Sequence, residues 1–211
     1  QSYIGALMRK YGNLFRASDC PNNALENRVR TIDVRLLSGK TAVHSDMLMW
    51  HAEEPADSAA LQLINVLFSV PQLSVRLDRV PPDHLETVKF WLSFWKEHRD
   101  TLLFGSFEPR RCEANYPLVI ARGDKELIAA VYGEAFVPLD GEVPQKIVLV
   151  NGTRGDRLIA HTAGWSGMTV SIRDCKGNVV REDREEEVRE WTVFHVPPSG
   201  LVNILVKEEH P

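Results

Sequence analysis

Short apolar runs alternate with helical patterns through the first 104 residues, and this alternation then stops. Strands are expected near residues 13–17, 41–45 and 73–77, and helices over 24–37, 57–69 and 83–103. The helices are recognised by apolar residues about one helical turn apart. A strand followed by a helix every ~30 residues is typical of parallel βαβ construction. The first part of the chain is therefore predicted to be an α/β domain built on a parallel sheet.

Three such units are too few to close a (β/α)8 barrel, because eight units need about 250 residues and the chain has 211. They form either a small open sheet or the last part of a barrel. The helix over 24–37 is indicated by Leu25, Val29, Ile32 and Leu36, which lie about one helical turn apart. The helix over 57–69 is apolar nearly all round, which predicts that it is deeply buried and that another part of the protein covers it.

The second part of the chain has only short β-type runs. Seven of them are expected, at 118–120, 127–132, 146–150, 157–161, 168–173, 191–196 and 201–206. Turn signals such as Asn151-Gly152 separate these runs. A small antiparallel β-sandwich is predicted over 105–211, following the α/β domain over 1–104, with a linker between Leu103 and Asn115. The charge run over 182–190 is expected to be a solvated hairpin edge or loop.

Composition excludes several classes of function. The formal net charge of −4 argues against a nucleic-acid binder, and no apolar run is long enough for a membrane span. Three cysteines without C-x-x-C spacing indicate a reducing, cytoplasmic location, and the scattered histidines give no metal motif. No nucleotide-binding motif is present, so no cofactor is expected. The start at Gln1 lacks the features of a signal peptide and indicates that the chain is the later part of a longer protein.

Polar residues follow the predicted strands, where parallel α/β folds place their active sites. Asp19 is the strongest catalytic candidate, because apolar Leu14 and Phe15 could desolvate its carboxyl and raise its pKa for general-acid work. The alternative is that Asp19 caps the helix over 24–37, although Asn22 and Asn23 are better placed for that.

Three further residues are candidates after the second strand. His44 and Asp46 could form a base and its orienting carboxylate, or His44 could be a hydrogen-bonded structural residue. Trp50 could stack on the apolar face of a sugar ring, or lie in the core. Asp78, after the third strand, is most simply a turn residue.

Several motifs resemble the melibiase-type α-galactosidases, glycoside hydrolase family thirty-six and its relatives. The resemblance covers roughly residues 1–104 and agrees in order and spacing. It is carried by Gln-Ser-Tyr-Ile-Gly at 1–5, Met-Arg-Lys-Tyr-Gly-Asn at 8–13, Phe-Arg-Ala-Ser-Asp-Cys-Pro at 15–21, Asn-Arg-Val-Arg at 27–30, Val-His-Ser-Asp-Met-Leu-Met-Trp at 43–50 and Leu-Phe-Ser-Val-Pro-Gln at 67–72.

The resemblance implies that the chain is the C-terminal part of a (β/α)8 barrel followed by a β-sandwich. It implies a retaining hydrolase of terminal α-galactosides in which Asp19 is the acid/base and the nucleophilic aspartate lies on an earlier strand. Many members have a second acid where this chain has Cys20. The sugar contacts are expected from Arg16, Ser18, His44, Asp46 and Trp50.

Two other functions are compatible with the sequence: a module that binds carbohydrate or another subunit, and a galactosyl transferase of the same superfamily. Alone, the 211 residues are expected to be inactive, because retaining chemistry needs two carboxylates. We also expect the chain to self-associate or to pair with the earlier half of the barrel, since open strand edges and apolar faces seek partners.

Overall fold

The structure, a computed structural model, describes residues 4–139, 144–163, 165, 167–186 and 189–206. The chain divides into two compact units, residues 1–103 and 104–211. The architecture is mixed α/β, with most of its strands in the second unit.

The first unit is a three-stranded sheet with helices between its strands. Its elements are α1 (Ala6–Tyr11), β1 (Leu14–Arg16), α2 (Ala24–Ser38), β2 (Ala42–Leu48), α3 (Ala56–Asn65), β3 (Val70–Leu73) and α4 (Pro82–Phe104). The strand order is β1-β2-β3 and both pairs are parallel. The predicted repetition of strand and helix is therefore present.

Local signals set the two ends of α2. The side chain of Asn23 accepts a hydrogen bond from the backbone N–H of Glu26 at 3.0 Å, which is the N-cap interaction. Gly39 ends the helix at a φ of +62°, a conformation that glycine adopts without strain, and its N–H donates to Arg35 O at 3.2 Å. Asn23 therefore fills the capping role considered for Asp19.

The helix predicted over 24–37 is present as α2, but its buried face is mostly polar. Leu25 and Leu36 are about half exposed, whereas Ile32 is buried. The other buried residues of the helix are Asn27, Arg28, Thr31, Arg35 and Ser38. These side chains reach backbone and amide groups of neighbouring elements, so the helix is held by hydrogen bonds as well as by apolar contact.

Arg35 links α2 to neighbouring parts of the first unit through hydrogen bonds of its side chain. Its guanidinium donates to Phe68 O at 2.7 Å, to Leu102 O at 2.5 Å and to Leu103 O at 3.1 Å. Burial lowers the pKa of Arg35 to about 10. One side chain of α2 thus joins the turn after α3 to the last turn of α4, where a cation also complements the helix dipole.

The third strand lies earlier than predicted. The alternation of Leu73, Val75 and Leu77 indicated a strand over 73–77, but β3 spans Val70–Leu73 and includes Pro71. A proline fits there because β3 pairs on one side only, with β2, within this sheet.

Helix α3 is buried within this chain, so the expected exposed face does not lie there. Leu63, Ile64 and Phe68 are buried. The exposed apolar side chains of the unit lie mostly on α1, β1 and α2: Leu7, Met8, Tyr11, Leu14, Leu25, Leu36 and Leu37.

The described residues of the second unit form ten strands. They are β4 (Ser106–Arg110), β5 (Leu118–Arg122), β6 (Glu126–Val131), β7 (Phe136–Val137), β8 (Lys146–Asn151), β9 (Arg157–His161), β10 (Met168–Arg173), β11 (Val179–Glu186), β12 (Trp191–His195) and β13 (Leu201–Val206). One sheet has the order β11-β10-β13-β8-β6-β5-β4 and the other β12-β9-β7. Residues of both sheets form one hydrophobic cluster, which includes Leu149, Leu158, Val170 and Phe194.

Two details differ from the predicted antiparallel sandwich. The pairs β6–β8 and β7–β9 are parallel, because the chain passes from one sheet to the other between them. The predicted linker contains β4, an edge strand. The charge run, in contrast, agrees with the expected hairpin edge: its described part forms the end of edge strand β11, which pairs antiparallel with β10, while residues 187 and 188 lie outside the described residues.

No helix in the described part of the chain is long and apolar enough to cross a membrane.

Candidate active site

Two of the predicted clusters meet at the ends of β1 and β2. The strands are parallel, and Arg16 is the register partner of His44. The side chain of Arg16 forms an ion pair with Asp46, two residues further along β2. Arg16, His44 and Asp46 therefore belong to one face at the carboxyl ends of the strands, where α/β folds place their sites.

Asp46 is fully buried and fixes the segment that carries Asp19. Its carboxylate accepts hydrogen bonds from the Arg16 guanidinium and from the backbone N–H of Cys20. Its own backbone N–H donates to Asn27 Oδ1 at 3.0 Å. We call residues 16–20 the acid loop. Because Asp46 binds both ends of this loop, its carboxylate is engaged with protein groups and not presented as a sugar contact.

Arg30 holds the middle of the acid loop. Its guanidinium donates to Ser18 O and, at 3.4 Å, to Asp19 O, and it forms an ion pair with Glu26 one turn earlier on α2. Sequence reasoning missed Arg30. The available signal was its position on the helix that follows the acid loop directly.

Asp19 is exposed at the tip of the acid loop. Its backbone has a φ of +42°, a left-handed conformation that is uncommon outside glycine but tolerated best by Asp and Asn. Within the described part of the chain, its carboxylate has no hydrogen-bond or ion-pair partner. Leu14 is about half exposed and Asp19 is exposed, so Leu14 and Phe15 do not shield the Asp19 carboxylate from water as expected.

Cys20 follows Asp19 and faces inward. Burial, with the nearby Asp46 carboxylate as a second cause, raises the pKa of its thiol to about 11. A thiol in this state is neutral at physiological pH and unsuited to act as a nucleophile or acid.

His44 does not form the base-and-carboxylate pair that was considered, since the Asp46 carboxylate binds Arg16 and Cys20. The imidazole is half-buried, and burial lowers its pKa below the ordinary value of 6.5. His44 is therefore neutral near pH 7 and able to accept or donate one hydrogen bond to a bound molecule.

Trp50 lies in the core. Its indole N–H donates to His84 Nδ1 at 3.0 Å, and His84 Nε2 lies 2.8 Å from Glu54 O. Since His84 Nδ1 accepts, its Nε2 carries the proton and donates to that carbonyl. Both rings are buried, so the core interpretation of Trp50 fits the structure and the sugar-platform interpretation does not.

The arrangement offers one exposed carboxylate, Asp19, on a loop fixed from two sides. Ser18 precedes it along the chain, and His44 is the register partner of Arg16 at the start of the loop. Asp78 lies apart, in an exposed pair with Arg76 at 2.7 Å, as expected of a turn residue. The described residues contain no group of three His, Cys, Asp or Glu side chains placed to hold a metal ion. The site therefore presents an exposed carboxyl group to solvent.

No protein-family model and no curated protein matches the chain. Among solved structures, it is similar to a xyloglucanase of glycoside hydrolase family 44 from Paenibacillus polymyxa, with 8% sequence identity and a TM-score of 0.37. The match covers 85% of this chain and 34% of that one, so the chain spans about a third of the length of the solved structure. A likeness this weak says nothing about the activity of the chain.

Proposed function

We propose that this chain supplies the general acid/base of a retaining glycoside hydrolase that cleaves terminal α-galactosides in the cytoplasm. The observation that carries the proposal is the exposed, unpartnered carboxylate of Asp19 on a loop anchored by Asp46 and Arg30. The motif resemblance supplies the reaction and the substrate class. A catalytic acid must reach the glycosidic oxygen while its backbone stays fixed. The exposed carboxyl group and the hydrogen-bonded backbone of the acid loop support this role.

In the proposed architecture, the first unit is the last three β-α units of a (β/α)8 barrel and the second unit is the C-terminal sandwich. The parallel order β1-β2-β3 and the core shared by two sheets support it. Within the sheet, β1 pairs on one side only, and Leu14 on β1 is about half exposed. We propose that the preceding barrel strands, or failing these a second copy of the chain, cover this edge.

The reaction would use two carboxylates in two steps. A carboxylate from an earlier barrel strand attacks the anomeric carbon while Asp19 gives its proton to the leaving oxygen. Asp19 then takes a proton from water, and the resulting hydroxide oxygen displaces the carboxylate from the anomeric carbon. The product keeps the configuration of the substrate.

Leaving-group dependence in the protein with the complete barrel tests the role of Asp19. Asp19→Ala is expected to reduce turnover of melibiose at least 100-fold, because its sugar leaving group needs protonation. Turnover of an aryl α-galactoside with an acidic phenol leaving group is expected to fall much less. Asp78→Ala, which removes an exposed aspartate from the same unit, is the matched control and is expected to leave both rates unchanged. Equal losses on both substrates in Asp19→Ala would contradict the acid/base role, and galactosyl transfer to an acceptor sugar in place of hydrolysis would identify a transferase.

A further inference from the structure

The outer face of the three-stranded sheet in the second unit carries a cluster of exposed aromatic rings. Trp191 on β12 is 46% exposed and Phe136 on β7 is 61% exposed. Their ring centroids lie 5.5 Å apart at an interplanar angle of 63°, and the ring of His161, the register partner of Trp191 on β9, lies 4.7 Å from that of Trp191. We call Trp191, Phe136 and His161 the aromatic face.

The aromatic face is not required by the core. Strand residues alternate between the two faces of a sheet. The inward neighbours, Val137, Ala160 and Phe194, belong to the hydrophobic cluster of the unit. Trp191 and Phe136 point the other way, and leaving such side chains in water forgoes about 1.5–3 kcal/mol each. The indole N–H of Trp191 also has no hydrogen-bond partner within the described residues.

Polar groups border the same face at its other end. His195, four residues after Trp191 on β12, contacts Asp156 with 3.2 Å between Nδ1 and Oδ2, and its register partner is Arg157. This hydrogen bond lowers the pKa of Asp156, so the carboxylate is ionised at neutral pH. Four strand residues span about 13 Å, which is long enough for a short oligosaccharide to reach from the rings to these polar side chains.

We infer that the aromatic face is a binding platform for a neutral oligosaccharide, separate from the site at Asp19. A pyranose ring has an apolar C–H face that stacks on aromatic rings, and hydroxyls that hydrogen-bond to an indole N–H, an imidazole, a carboxylate or a guanidinium. The border carries both an acidic and a basic group, which suits an uncharged ligand better than a nucleic acid, whose binding needs a positively charged groove.

The size of the aromatic face also favours a small ligand over a second copy of the chain. From their exposed fractions, Trp191 and Phe136 together offer roughly 200–250 Å2. A stable protein interface needs about 800 Å2 from each partner. This inference goes beyond the proposed function and does not depend on the role of Asp19.

Titration of the whole chain with two uncharged probes, cellohexaose and stachyose, tests the platform. At least one is expected to bind with a Kd of roughly 1 mM and to change the tryptophan fluorescence. Trp191→Ala is expected to weaken binding at least about tenfold, while Trp191→Tyr keeps most of the affinity. Phe104→Ala removes a ring that is also 61% exposed but lies outside the aromatic face, and it is the matched control.

Three results would overturn the inference. The first is that neither probe binds up to its solubility limit. The second is binding that Trp191→Ala leaves unchanged. The third is a concentration-dependent dimer, seen by sedimentation without sugar, that Trp191→Ala abolishes, because the occupant would then be a second copy. Since Trp191 lies outside the core, circular dichroism of Trp191→Ala is expected to match that of the unmodified chain.

Discussion

Substitution of Asp46 tests whether one buried carboxylate fixes the acid loop. Asp46→Ala removes the acceptor of two hydrogen bonds, from the Arg16 guanidinium and the Cys20 N–H. Asp46→Asn keeps the size of the side chain but replaces one acceptor oxygen with an NH2 group, which then faces a donor. Both changes are expected to release the loop, and the alanine variant more strongly.

The magnitude follows from the two bonds. A hydrogen bond to a charged group contributes about 1.5–3 kcal/mol. Because the Arg16 side chain is 34% exposed, its share is discounted for solvent screening. We expect Asp46→Ala to lower the free energy of unfolding of the first unit by about 2–3 kcal/mol and Asp46→Asn by about 1–2 kcal/mol. Asp78→Asn breaks an aspartate–arginine pair whose members are both 64% exposed, and it should cost less than about 0.5 kcal/mol.

Urea denaturation combined with amide hydrogen exchange measures both effects. Exchange at the Cys20 amide is expected to speed up in either Asp46 variant, because its acceptor is lost or weakened. A double-mutant cycle with Arg16→Met should give a coupling of at least about 0.5 kcal/mol. The reasoning is refuted if Asp46→Asn costs no more than Asp78→Asn, or if the Cys20 amide exchanges at an unchanged rate.

Three other predictions concern the core and one turn. Arg35→Met should destabilise the first unit by about 3 kcal/mol or more, since three carbonyl oxygens lose their donor, and Arg35→Lys should restore part of the loss in the same urea assay. Iodoacetamide at pH 8 should label exposed Cys112 before buried Cys20, and equal labelling rates would contradict the burial of Cys20. The free energy of unfolding should also fall as pH rises from 9 towards 11, because the Cys20 thiol ionises at a lower pH in the unfolded chain than in the folded one. Gly200→Ala should lower the free energy of unfolding by about 1–3 kcal/mol, because the added Cβ would meet the backbone carbonyl of Arg173. Gly155→Ala should leave it nearly unchanged, because no atom lies nearer than 3.7 Å to the added Cβ. Thermal melting of both variants checks this.

Local patterns could predict the positions of most elements. The helix predicted over 83–103 is α4, and all seven predicted β runs of the second unit contain a strand. Sequence periodicity could not give the pairing of β6 with β8, because a parallel pair depends on the path of the chain between the strands. It also misplaced β3, since Val75 and Leu77 alternate with polar residues as a strand would without forming one.

The candidate site could be predicted in part. Its position after β1 and β2 follows from the general placement of active sites in parallel α/β folds. The roles of Asp46 and Arg30 could not be predicted, because both depend on contacts between elements distant in sequence. The apolar spacing of α2 identifies the helix but does not reveal that polar residues of this helix support the acid loop.

The anchoring of the acid loop limits which segments could be exchanged between related α/β domains. The residue that would perform the chemistry follows β1, but the groups that hold it come from α2 and β2. Transplanting residues 16–20 alone would leave Asp19 without its supports. The smallest portable piece is the segment from Leu14 to Leu48, two strands and the helix between them. A natural or designed recombination point would therefore have to lie after β2. A break within this segment would separate the Asp19 carboxylate from the residues that position it.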